Sequence, residues 1–235
     1  MATRTMNRRI LVLGRDTANV VAAVEECGLE SVRERPDVVL TWGGDGLLLG
    51  SEREWPGVPK LPLRNSRHGK RCGPHELRDA LRRLAAGSLS ETRWRKVRAD
   101  AHGETLVGLN DIIVHNSRPT SSVRYRVWID DREFGDEILG DGVVAATVFG
   151  STAYYRSITH SLFQAGIGLA FNNSTEPLDH LVLPEETVIR VRITRGPALV
   201  CADNDPNAIA LEEGDEVVIE LADQEAVILG LDPGE

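Results

Sequence analysis

An α/β domain followed by an all-β, antiparallel domain is the fold class this sequence predicts, and three observations predict it. Up to about residue 90, short β-branched runs alternate with segments of helical period. Beyond it, apolar and polar residues alternate singly over many short stretches. Regular helical patterns no longer separate those stretches, which points to a Rossmann-like layer over residues 1–90 and an antiparallel sandwich over residues 91–235.

In the first part, the apolar run 10–13 reads as a buried strand ending at Gly14. Asp16 or Thr17 is placed to cap a helix with Val20, Ala23, Val24 and Cys27 on one face, stopped by Gly28. A second strand covers Val38 to Trp42 and runs straight into Gly43-Gly44-Asp45-Gly46. After a polar break at Ser51 to Trp55, a short strand over Val58 to Leu63 is interrupted by Pro59 and Pro62. Pro74 opens a helix with Leu77, Leu81 and Leu84 on one face and Gly87 at its end.

In the second part, Val123, Tyr125, Val127 and Ile129 alternate with Arg124, Arg126 and Trp128 before a turn at Asp130-Asp131. Further strands are expected over 106–115, 143–148, 187–194 and 217–221.

Composition limits the partners. The chain has 235 residues and a net charge of -9, which argues against wholesale binding of nucleic acid or of an anionic membrane. No apolar run approaches the roughly 20 residues that cross a bilayer, and the run 10–13 is too short for a signal-peptide core. Cys27, Cys72 and Cys201 are widely spaced and outside any Cys-x-x-Cys pair, which suits free thiols in a reducing cytosol rather than a zinc site.

The glycine loop is the first candidate site. Glycines let backbone amides approach a ligand closely, so successive N–H groups converge on an anion, and Asp45 among them can take a hydroxyl proton or hold a metal ion. Asp-Gly between two apolar runs is equally the signature of a tight hairpin turn. The cluster from Arg64 through Arg67 and Lys70 to Arg71 also leaves a strand's carboxyl end. It reads either as a solvated loop or as an anion site.

Three later patterns narrow the choice: Gly108-Leu109-Asn110-Asp111, Gly140-Asp141-Gly142, and Gly150-Ser151-Thr152-Ala153-Tyr154. By itself each has a plain reading, as a turn, a second turn and a helix cap. With Gly43-Gly44-Asp45-Gly46 upstream, their order and spacing resemble the NAD kinase family, from about residue 8 to about residue 230.

The resemblance implies transfer of the γ-phosphoryl of ATP, or in some members of polyphosphate, to the 2′-hydroxyl of the adenosine ribose of NAD; such a transfer calls for Mg²⁺ to neutralise charge on the phosphates. The resemblance also implies a homodimer or homotetramer. Asp45 would be the catalytic carboxylate and Gly43, Gly44 and Gly46 the phosphate loop. Asn110, Asp111, Asp141, Thr152, Ala153, Tyr154 and Ser157 would be dinucleotide contacts. No metal ligand is assigned, and His115 and His160 are read as structural.

Four departures bear on the acceptor. Leu47 stands where the family commonly has Thr, and Val148-Phe149 where it has Pro-Thr or Pro-Ser. Lys70 takes the place of an aromatic residue, and Ala170 to Ser174 that of a Pro-x-x-Pro-His segment. Loss of a stacking wall and gain of cations favour a phosphate or carboxylate. The alternatives are therefore a kinase of this fold whose anionic or sugar-like acceptor is read by Arg64, Arg67, Lys70 or Arg71, and a non-catalytic nucleotide-binding regulator.

Overall fold

The computed structural model describes residues 8–65, 77–175, 177 and 179–231. The chain divides into two compact units, one running to Trp94 and resuming at Glu225, the other covering Arg95–Gln224.

The first unit contains β1 (Arg9–Gly14), α1 (Ala18–Glu26), β2 (Glu30–Ser31), β3 (Val38–Trp42), α2 (Asp45–Glu54), β4 (Lys60–Leu63) and α3 (Leu77–Ala86). Its sheet runs β2-β1-β3-β4, all parallel. Leu61 and Leu63 of β4 join Val20, Val24, Leu81 and Leu84 of α1 and α3 in one core, with Val227 and Leu229 from the chain's last strand. Thr17 occupies the N-cap of α1 without a side-chain hydrogen bond, so its predicted capping role is positional only. Gly28, at φ 74, ends that helix as expected.

Two readings of this unit are corrected. The residues after the glycine loop form α2, so Asp45-Gly46 is a helix start and not a hairpin turn, and β3 and β4 are parallel. The polar stretch Ser51 to Glu54 is the last turn of α2, not a break. Ser51 and Glu52 face inward, 1% and 3% exposed, because Ser51 Oγ donates to Leu48 O and Glu52 pairs with the wholly buried Lys60 of β4. Lys60 Nζ also donates to Trp55 O at 2.7 Å and Val58 O at 2.5 Å, which joins the end of α2 to the start of β4.

The second unit is built of strands: β5 (Glu91–Ala101), which enters it from the first unit, β6 (Glu104–Gly108), β7 (Asp111–Asn116), β8 (Val123–Ile129), β9 (Arg132–Gly140) and β10 (Gly142–Ala146). A single 3-10 turn at Gly150–Thr152 and the short helix α4 (Tyr154–Thr159) precede β11 (Ile167–Asn172), β12 (His180–Leu183), β13 (Ile189–Arg195), β14 (Ala198–Ala202), β15 (Ile209–Leu211) and β16 (Glu216–Leu229).

One antiparallel sheet runs β12-β11-β10-β7-β14-β15, and a second is formed by β16-β13-β8-β9 with the β5-β6 hairpin. Val114, Val143, Leu169 and Val200 of the first pack with Tyr125, Val127, Val191 and Ile219 of the second in a common core, as a sandwich requires. The expected strand 106–115 is in fact two, β6 and β7, split at Leu109-Asn110.

Candidate functional site

In the first unit the site begins where β3 ends. Gly43 N donates to Leu63 O at 3.0 Å, and Asn65 Nδ2 donates to Trp42 O at 3.1 Å, so the glycine loop is tied to the carboxyl end of β4. Gly44 is the N-cap of α2, extended at φ -101 and ψ -174, with no side-chain cap. Leu47 N and Leu48 N donate to Gly44 O at 3.0 and 3.4 Å, and the positive end of the helix dipole lies at this loop, where it favours an anion.

A Cβ built on Gly44 would meet no atom of the described residues within 4 Å. Asp45, the first residue of α2, has its Oδ1 buried with no hydrogen-bonding partner among the described residues. Arg64, just beyond β4, has its Nε buried and equally unpartnered. Arg67, Lys70 and Arg71 lie outside the described residues.

In the second unit the three later patterns converge. Asp203 accepts the backbone N–H groups of Leu109 at 2.7 Å, Asn110 at 2.7 Å and Asp111 at 3.1 Å, which folds the Leu109-Asn110 turn and ends β6. Thr147 N donates to Asn110 O at 2.9 Å, Thr147 Oγ1 donates to Leu109 O at 2.7 Å, and Gly150 N donates back to Thr147 Oγ1 at 3.0 Å. Any Cβ at Gly150 would sit 2.0 Å from Asn110 O, so only glycine lets the Gly-Ser-Thr turn lie against the Asn-Asp turn. Asn110 Oδ1 is buried there and unpartnered, an acceptor awaiting a donor.

Asp141 links β9 to β10 between two tightly packed glycines; a Cβ at Gly142, whose φ is 136, would fall 1.9 Å from Val114 O. Its Oδ1 accepts from Asn116 Nδ2 at 3.2 Å and its Oδ2 from Asn173 Nδ2 at 3.1 Å. Asn172 Nδ2 lies 2.9 Å from the Tyr154 hydroxyl and 3.3 Å from His115 Nε2. His115 Nδ1 is 3.0 Å from Asn116 O. A carbonyl accepts only, so His115 carries its proton on Nδ1, Nε2 accepts from Asn172, and the Tyr154 hydroxyl keeps its own hydrogen to donate.

Burial raises the Tyr154 phenol above its ordinary range, against the bond from Asn172. Burial, helped by the Asp203 charge, pushes the Asp111 carboxyl up to about 7.

Asn110 and Asp111 are thus held by Asp203 and Thr147, and Asp141 and Tyr154 by a second group of Asn116, His115, Asn172 and Asn173, with Thr152 and Ala153 on the turn leading into α4. Ser157 is exposed on α4, its Oγ bonded back to Ala153 O at 3.4 Å. Asp45, Gly43, Gly44, Gly46 and Arg64 belong to the other unit. Sequence reasoning missed Asn116, Thr147 and Asp203, took Asn172 and Asn173 only as a departure, and set His115 aside as structural. Polar residues at strand ends, Asn116 and Asn172 after apolar runs, were the available signal.

Folded this way, the chain has the architecture of known two-domain nucleotide kinases. It superposes on a crystal structure of an NAD kinase from Archaeoglobus fulgidus in complex with ATP, with TM-score 0.79, 20% identity and coverage of 94% of this chain and 92% of that one. A yeast NADH kinase complexed with NADH gives TM-score 0.83 at 16% identity, covering 96% and 84%.

In sequence, an NAD kinase from Methanopyrus kandleri is 36% identical over 135 residues, 55% of this chain and 48% of that relative. One from Sulfurisphaera tokodaii is 27% identical over 216 residues, 87% of this chain and 85% of the relative. No protein-family model matches. In sequence and in fold the chain is similar to the NAD kinases.

Proposed function

We propose that this protein is an ATP-dependent kinase that phosphorylates the 2′-hydroxyl of the adenosine ribose of NAD, giving NADP and ADP. The observation that carries the reading is Asp45, whose buried, unpartnered Oδ1 stands at the uncapped start of α2. A carboxylate with nothing to bond is costly unless a ligand completes it.

In this reading Asp45 accepts the proton of the attacking hydroxyl. The oxygen then bonds the γ-phosphorus as the bond to the β–γ bridging oxygen breaks, and ADP leaves. The positive end of α2 attracts phosphate oxygens, for which Gly44 leaves room among the described residues. Asn110 Oδ1 and the free hydrogen of Tyr154 supply an acceptor and a donor to the dinucleotide.

Mg²⁺, when bound, neutralises charge on the phosphates. Among the described residues no group of three or more His, Cys, Asp or Glu gathers to hold a metal, so the ion would take Asp45 Oδ1, directly or through water, with nucleotide oxygens. The reading extends to a cytoplasmic homodimer or homotetramer. Among the described residues no helix is long and apolar enough to cross a membrane.

The test is ADP release from Mg²⁺-ATP by the purified protein, with NAD, with NADH, with a panel of sugars and nucleosides, and with no acceptor. NAD-dependent release with matching NADP formation is expected. Release with NADH or another hydroxyl compound alone would replace the acceptor, and silence with every acceptor would overturn the kinase reading.

A further inference from the structure

We infer that His115 is a positioning residue for the dinucleotide, fixing the Tyr154 hydroxyl as a hydrogen-bond donor through the side-chain amide of Asn172. The assignment rests on the reading above that Tyr154 meets NAD. Strand alternation puts Ile113 and His115 of β7, Gly142, Val144 and Ala146 of β10, and Ala170 and Asn172 of β11 on one face of their sheet. Helix α4 lies against that face: Tyr155 packs with Val144, Ala146 and Ala170, and Ile113 and Tyr154 border them. Residues of the opposite face, such as Val114, Val143 and Phe171, fill the sandwich core.

Gly142 is the register partner of both His115 and Asn172. Having no side chain, it lets the two meet across it, Asn172 Nδ2 to His115 Nε2 at 3.3 Å, although their strands are not neighbours. Asp141 N donates to the Asn172 carbonyl at 2.9 Å and pins that backbone. The choice left to the side chain is which way its amide points.

The two directions differ in what they ask of Tyr154. With Nδ2 toward both neighbours, one amide hydrogen goes to His115 Nε2 and the other to the Tyr154 oxygen at 2.9 Å, which leaves the phenol hydrogen to a ligand. With Oδ1 there instead, the phenol would spend its hydrogen on Asn172. His115 would also need protons on both nitrogens, because Nδ1 already donates to Asn116 O. Neutral His115 selects the first direction. Burial holds the phenol above its ordinary range, so the hydrogen is present at neutral pH. Asn172 lies in the stretch Ala170 to Ser174, where the family pattern has Pro-x-x-Pro-His and implies no such amide.

The experiment is calorimetric titration of the full chain with NAD and, separately, with Mg²⁺-ATP, for wild type, His115→Leu, His115→Gln, Tyr154→Phe and the variant carrying both His115→Leu and Tyr154→Phe. His115→Leu, which lets the amide turn, is expected to weaken NAD about threefold or more, and His115→Gln, whose side-chain oxygen accepts in place of Nε2, less than about twofold. Tyr154→Phe should weaken NAD at least as much as His115→Leu, and joining the two should cost less than about twofold more. ATP affinity should stay within about twofold throughout. NAD losses that multiply in the double variant, NAD affinity unchanged by Tyr154→Phe, or equal losses of ATP would overturn the assignment.

Should His115→Leu not fold, Asn172→Asp carries the test. Its carboxylate only accepts and takes the phenol hydrogen, so NAD should weaken about fivefold or more with Tyr154 present and less than about twofold in Tyr154→Phe. Equal losses in both backgrounds overturn the assignment. Wild type that takes up no NAD removes NAD as acceptor and the assignment with it. NAD binding with the expected coupling, in a protein that makes no NADP, would leave the assignment standing and remove the kinase reading.

Discussion

Asp203 and Asp111 share one turn, the first holding the second's backbone N–H at 3.1 Å while its charge disfavours ionisation of the second's carboxyl. Burial contributes most, and the Asp111 carboxyl stands at about 7 in the folded chain against an ordinary 3.8. Between those values the unfolded chain gives up this proton and the folded chain keeps it, so stability from this group is full at low pH and is lost as pH rises to about 7. Asp111→Asn removes the loss. Relative to wild type, the variant should gain on the order of a few kcal/mol between pH 4 and pH 8. Urea melts at the two pH values check this, and an equal difference at both would refute it.

Asp45→Asn should lower turnover by about a hundredfold or more while leaving nucleotide affinity within a few fold. Single-turnover rates and equilibrium ATP binding separate the two. Activity within about tenfold of wild type would take Asp45 out of the proton transfer.

Gly44→Ala distinguishes space for a ligand from space the fold needs. The backbone at φ -101 is open to any residue and a Cβ there meets no atom of the described residues within 4 Å, so the melting temperature should hardly change. A methyl group before the helix start should nevertheless crowd a bound phosphate and raise the ATP KM severalfold. An ATP KM unchanged in a folded variant would count against phosphate at this position.

Gly142→Ala is expected to fail in the opposite way. Its Cβ would meet Val114 O at 1.9 Å with φ at 136, so the strand pair must move, at a cost of about 3 kcal/mol or more. Denaturant unfolding reads it directly, and a cost below about 1 kcal/mol would show that Asp141 is not held by this close approach.

Lys60 and Glu52 should prove unequal partners to remove. Lys60→Ala takes the paired cation from a carboxylate that is 3% exposed and that also accepts from Gly57 N at 3.2 Å, and should cost about 3–5 kcal/mol, whereas Lys60→Leu with Glu52→Leu should recover most of it. Recovery of less than half in the double variant would mean that the bonds from Lys60 Nζ to Trp55 O and Val58 O matter more than the ion pair.

Strands announced themselves in the sequence where β-branched residues alternated, as at Val123 to Ile129, because burial of one face imposes that period directly. Helix α2 did not, since Gly46, Gly50 and Ser51 carry weak helical preference and the segment is held by Leu48, Leu49 and the Glu52–Lys60 pair instead. The break at Leu109-Asn110 was invisible for a different reason: the carboxylate that folds it, Asp203, comes more than ninety residues later. Motif residues such as Asn110 and Asp141 were legible as types. Their support from Thr147, Asn116 and Asn172 depends on strand pairings that a local pattern does not encode.

The return of the chain from Gln224 into its first unit also has a consequence for synthesis. Val227 and Leu229 leave the ribosome long after Ile10, Val20 and Leu61, yet all five belong to one buried core. The glycine-loop unit must therefore wait for this late segment before its core can close. A nonsense codon shortly before Glu225 should do its damage at the opposite end of the polypeptide, in the glycine-loop unit.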